Sequence, residues 1–162
     1  MRMFKKIMCI VLCILCITLP ICGCKQPDEV QSPQELVDEI MPFAGDGIAW
    51  AMIEKDKITG YFGFSGDKTS ELSVWINDDD EKCDIVAAFV IENETDRLAA
   101  IEAIGRSLTT TAKVFETTNS SESAKLKSYI IYVKDNTLIT VVSGNIEKIK
   151  KLLLDKGFTS AM

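Results

Sequence analysis

The sequence has no histidine among its 162 residues. That removes the commonest general base and the commonest nitrogen ligand for metals. Cysteine is almost as scarce where it would count. Four of the six cysteines (Cys9, Cys13, Cys16 and Cys22) fall within the first 23 residues, and Cys24 follows them directly. Cys83 therefore stands alone in the rest of the chain, and no disulfide framework can form. A single thiol in an apolar strand is expected to pack as a small hydrophobe rather than to react. Positive charge is short as well: 18 basic residues against 24 acidic ones, a net charge of −6. An acidic chain is a poor partner for nucleic acid, whose phosphates demand a basic surface, and for anionic lipid held by charge alone.

The charge that does occur is placed unevenly. Arg2, Lys5 and Lys6 precede an apolar run from Ile7 to Leu19. A basic start, a short apolar stretch and a small-residue exit are the pattern of a secretory signal. The run falls short of the ~20 apolar residues of a membrane span. The exit, Ile21-Cys22-Gly23-Cys24, resembles the lipobox of bacterial lipoproteins, in which the final cysteine is lipidated and becomes the new N-terminus. Residues 1–23 are thus expected to be a signal peptide, and 24–31 a lipidated cysteine with a polar tether. Losing three of the 18 basic residues would leave 15 against 24 acidic, a net charge of −9. A diacylglyceryl group on Cys24 plus an amide-linked chain such as palmitate would anchor durably, at about 0.8 kcal/mol per buried CH₂.

Residues 32–162 are expected to form one α+β domain. Ser32-Pro33-Gln34-Glu35 is a helix start, with a capping serine, proline in the first turn and a glutamate that closes a capping box. Residues 48–66 are ambiguous: Ile48–Ile53 fits helix or strand, and Tyr61-Phe62-Gly63-Phe64 reads as an apolar turn packed on the core. Beyond them, Leu72–Ile76 and Asp84–Glu92 read as strands around an acidic turn. Asn93 caps a helix carrying Leu98, Ile101, Ile104, Leu108, Ala112 and Phe115 on one face. Thr117–Ser121 reads as a loop. Tyr129–Val133 and Leu138–Val142 form a hairpin about Lys134-Asp135-Asn136, and a last helix follows Asn145. Hairpin and helix thus occur twice, over 71–116 and 128–156. Two such units predict a four-stranded, mainly antiparallel sheet with helices packed on one face, plus the N-terminal helix.

Tyr61-Phe62-Gly63-Phe64-Ser65, Val74-Trp75-Ile76 and Cys83-Asp84-Ile85-Val86-Ala87-Ala88-Phe89 together resemble a family of small clostridial lipoproteins that carry domain of unknown function 4358. The resemblance runs from about residue 32 to 158. It departs from the family at Cys83-Asp84, where two acids are usual, and at 117–127, which lacks a tyrosine. The resemblance implies a surface lipoprotein and supplies no activity.

Candidate chemistry is sparse, and no cofactor is implied. Ser65-Gly66-Asp67-Lys68 and Ser143-Gly144-Asn145 match two boxes of penicillin-recognising enzymes. No Lys-Thr-Gly accompanies them, so a turn and a helix cap are the expected roles. Asp78, Asp79 and Asp80 offer oxygen ligands for Ca²⁺, without the spacing of a dedicated calcium loop. Trp50, Tyr61, Phe62, Phe64 and Trp75 are expected first as core, since large aromatics dominate burial in a small domain. If any surface binds, they are the candidate binding surface, because irregular aromatic segments over a sheet often carry function. The function expected is a non-catalytic binding module on the outer, cell-wall side of the cell membrane, partnered by an envelope protein or wall component. The alternative is a small envelope hydrolase using paired carboxylates.

Overall fold

The computed structural model describes residues 31–162, so the expected signal peptide and the lipidation expected at Cys24 lie outside the described residues. Helix α1 (Pro33–Ala44) begins as its sequence dictates. Ser32 Oγ accepts from the Glu35 backbone amide at 3.3 Å, and Glu35 Oε2 accepts from the Ser32 amide at 2.9 Å. The helix continues through Pro42 to Ala44.

The ambiguous stretch resolves into strand β1 (Trp50–Met52), a 3₁₀ turn at Lys55–Lys57, the short helix α2 (Ile58–Phe62) and a second 3₁₀ turn at Gly66–Lys68. These turns are tightly packed. A Cβ on the buried Gly66 would stand 2.2 Å from the Lys55 carbonyl oxygen, while Lys55 Nζ donates to Thr69 O at 2.8 Å. Because the obstacle is backbone, Gly66→Ala is expected to cost about 1–3 kcal/mol or more. Urea unfolding should show a lowered midpoint with an unchanged slope.

Strands β2 (Glu71–Asn77) and β3 (Ile85–Val90) precede α3 (Glu94–Thr118), capped by Asn93. A short helix α4 (Ser120–Lys127) comes next, then the hairpin β4 (Ile130–Lys134) and β5 (Thr137–Val142), helix α5 (Ile146–Asp155) and a two-residue strand β6 (Thr159–Ser160). Asp135, at φ 51°, supplies the left-handed residue that a two-residue hairpin turn requires.

The strands form a six-stranded, fully antiparallel sheet in the order β1-β2-β3-β5-β4-β6. A mixed helix and sheet fold built on two hairpins therefore stands, with β3 and β5 joined at the centre. Two details change. The sheet gains a strand at each edge, because the irregular flanks at 50–52 and 159–160 each pair briefly. Helices also cover both faces rather than one. Ala87, Phe89, Leu138 and Val142 face α2, α3 and α4, whereas Val86, Ala88, Ile139 and Val141 face α1 and α5. Central strands that are apolar on both sides need cover on both sides.

Two further expectations give way. The loop at 117–121 is a break of one residue, since Asn119 ends α3 and its side chain accepts from the Glu122 amide to start α4. On α3 the buried face runs through Ala100, Ala103, Ile104, Leu108 and Ala112, which leaves Leu98 60% exposed.

Candidate functional site

Strands β2 and β5 end and β3 begins where α1 stops and α4 crosses, and a cleft of about 430 Å³ opens there. One wall is the turn after α1, from Gly45 to Ala49; the other is built from Asn77, Lys82, Asp84, Glu122 and Lys125. Glu122 and Lys125 lie three residues apart on the inward face of α4, which is fastened to α3 by Ser123 Oγ donating to Ala112 O at 2.8 Å.

Five ionisable groups meet on or beside this wall. Lys125 Nζ lies 2.9 Å from Asp84 Oδ1 and 2.8 Å from Glu122 Oε2. The remaining Asp84 oxygen accepts from Asn77 Nδ2 at 3.0 Å. Glu122 Oε2 also accepts from the Cys83 amide at 3.1 Å and from its thiol at 2.9 Å. Lys82 stands at the rim, 3.9 Å from Glu122 Oε1. The side chains of Asp84 and Glu122 are only 7% and 6% exposed, and Lys125 18%.

The electrostatics follow from this geometry. Burial disfavours the Glu122 carboxylate, but hydrogen bonds from Cys83 and Lys125 outweigh it and hold the group below the usual carboxylate range. Burial likewise opposes the Lys125 charge, and its bonds to Glu122 and Asp84 overcome that and raise it above an ordinary lysine. The Cys83 thiol is pushed far up, first by burial and then by its hydrogen bond to ionised Glu122. It is a protonated donor rather than a nucleophile.

The residues singled out in the sequence are placed differently. Phe62 and Phe64 take the core role expected of them rather than the surface one: both are buried in T-shaped contact with Phe89, at 5.5 and 5.3 Å between ring centres. Large aromatics are the cheapest way to fill a core this small. Tyr61 is exposed on α2, over the face that α3 covers. Trp50 and Trp75 lie half-buried on the opposite face, beside α1. The five therefore do not form one surface.

Asp78, Asp79 and Asp80 are exposed in the β2–β3 turn, where Asp79 Oδ1 accepts from the Glu81 amide. Among the described residues no group of three or more acids or cysteines is arranged to hold a metal. Ser65 caps a 3₁₀ turn and Lys68 pairs with Asp96 at 3.3 Å. Ser143 Oγ donates to Ala44 O and accepts from the Asn145 amide. Both serines are used in local structure, whereas Asn145 stands at the start of α5 without the side-chain cap bond expected of it.

The Asp84–Lys125–Glu122 network escaped the sequence reading. Its one local signal is a Glu-x-x-Lys pair beside Ser123 and Leu126, which looks like an ordinary exposed ion pair when α4 is read as a loop. A second, shallower groove of about 530 Å³ runs along α3 past Gly105, Tyr129 and Met162. It is open and holds no buried ionisable group.

Comparison with protein-family models, with curated proteins and with solved structures finds no match to this chain. Its function rests on its own geometry.

Proposed function

We propose that the chain is a membrane-anchored lipoprotein whose outward-facing domain is a non-catalytic binding module of the cell envelope. The observation that carries this reading is the Lys125 clamp. An acid–base pair needs two carboxylates in opposed environments, one able to hold a proton and one ionised. Asp84 and Glu122 instead share a single ammonium, and Lys125 works to keep Glu122 charged. Cys83 and the missing histidine offer no other base or nucleophile. The lipobox at Ile21–Cys24 supports attachment through Cys24, and among the described residues no helix is long and apolar enough to cross a membrane.

The hydrolase alternative draws on the same cleft, the one place where two buried carboxylates meet among the described residues. It requires one of them to be released from Lys125 on substrate binding.

Two measurements test the proposal. Mass spectrometry of the mature N-terminus should find an acylated Cys24; an unmodified Cys24 behind an intact leader would reject the anchor. Affinity capture from native membranes at moderate salt should recover an envelope partner. Recovery of nothing across several growth conditions would reject the binding module.

A further inference from the structure

The two edges of the sheet are finished in different ways. Strand β6 is two polar residues long, with Lys134 beside it. Such short or lysine-guarded edges resist pairing with other chains. At the other edge β1 lies in an uncharged run, Ile48-Ala49-Trp50-Ala51-Met52-Ile53, with no proline.

The register shows what that edge presents. The Ile53 amide donates to Val74 O at 2.9 Å, and the Asp78 amide to Ala49 O at 2.8 Å. Between these, Ala51 pairs with Ile76, while Trp50 and Met52 stand opposite Asn77 and Trp75. Antiparallel strands alternate hydrogen-bonded and non-bonded pairs. The N–H and C=O groups of Trp50 and Met52 therefore point away from β2, toward the open edge. Their side chains share one sheet face with Trp75, forming a shelf beside α1 in which Met52 is 59% exposed.

We propose that the β1 edge takes up an extended, cationic segment of a partner protein as a seventh strand. This rests on the binding-module reading and gives it a surface. Main-chain hydrogen bonds to Trp50 and Met52 would supply affinity, and the tryptophan shelf would select alternate apolar side chains. The charge of the occupant follows from the turn continuing β2. Asp78 is bonded to β1 itself, Asp79, Asp80 and Glu81 follow it, and Asp46 precedes β1. Asp46, Asp78 and Asp80 form no ion pair with any described residue. A lysine- or arginine-bearing strand meets that charge. A second copy of this acidic chain would bring the same acids with it.

The chain's only two tryptophans are Trp50 and Trp75, so intrinsic fluorescence reports this shelf directly. The probe is a short capped peptide alternating lysine and valine, titrated into the full-length protein in detergent. Saturable change in tryptophan emission is expected. The same peptide N-methylated on its β1-facing amides, and its glutamate-for-lysine analogue, should each bind about tenfold more weakly or worse, a loss of at least ~1.4 kcal/mol. Asp78→Asn/Asp80→Asn should weaken the lysine peptide several-fold without altering the unfolding midpoint.

Equal binding of the N-methylated peptide would reduce the interaction to charge alone and overturn strand addition. No saturable change would overturn it too, as would a protein dimer in sedimentation that the peptide does not dissociate. A partner captured from membranes equally well by Met52→Lys would refute the edge while leaving the binding module intact.

Discussion

Lys125→Met is expected to lower the unfolding free energy by about 3–5 kcal/mol, the cost of removing one partner from a buried ion network. The loss comes from what remains. Asp84 and Glu122 would share a largely desolvated wall with no cation between them, and α4 would lose its attachment to the start of β3. The triple variant Asp84→Asn/Glu122→Gln/Lys125→Met should recover most of that loss, because neutral groups of similar shape carry no charge to strand. Urea unfolding of the three proteins measures both differences. A single-variant loss below about 1 kcal/mol would place the network among ordinary surface pairs.

The same network sets a pH profile. Glu122 titrates lower in the folded protein than in the unfolded one, so its contribution is complete above its unfolded pKa of about 4.3 and disappears as pH falls through the folded value. Lys125 titrates higher when folded, so its contribution is complete below about 10.4 and disappears as pH rises through the folded value. Wild-type stability attributable to this cluster should be level from about pH 5 to 10. In Lys125→Met the Glu122 carboxylate keeps its bonds from Cys83 but loses those from Lys125, so its contribution should shrink and stability should depend less steeply on pH below about 5. Thermal melts across that range separate the two profiles.

Phe89→Ala should be comparably severe, at about 3–5 kcal/mol with a fall in Tm on the order of 10 °C. Phe89 is fully buried in a central strand and makes T-shaped contacts with both Phe62 and Phe64. Truncation would empty the junction between the α2 turn and the sheet, and would cost both aromatic contacts at about 0.5–1.5 kcal/mol each. Phe89→Leu should retain more than half of the stability lost in the alanine variant. If the two variants lose equal amounts, aromatic packing is not what holds α2 down.

Local chemistry made much of this fold readable in advance. The Ser32 capping box, the Asn93 cap and the tight turn at Asp135–Asn136 each depend on residues within a few positions of one another, and each formed as expected. What stayed open or failed depends on distant partners. Trp50–Met52 becomes a strand only because β2 lies beside it. Leu98 fits the helical stripe as well as Ala100 does, and only the approach of the sheet decides between them. The two-sided apolar character of Asp84–Glu92 did contain the information that helices cover both faces, and the one-face arrangement conflicted with it. The buried network joins residues about 40 positions apart, through a helix whose opening serines read as a loop.

The α1 face of the sheet has a consequence in time as well as in space. Leu36, Val37 and Ile40 complete their core with Ile149, Leu153 and Phe158, more than a hundred residues later in the chain. A polypeptide delivered N-terminus first can fold α3 and the hairpins locally, but that second core stays open until its last helix arrives. Contacts of such long sequence separation slow folding and leave apolar surface uncovered meanwhile. Truncation near the C-terminus would therefore leave the first helix of the domain without its cover and the incomplete chain prone to aggregation.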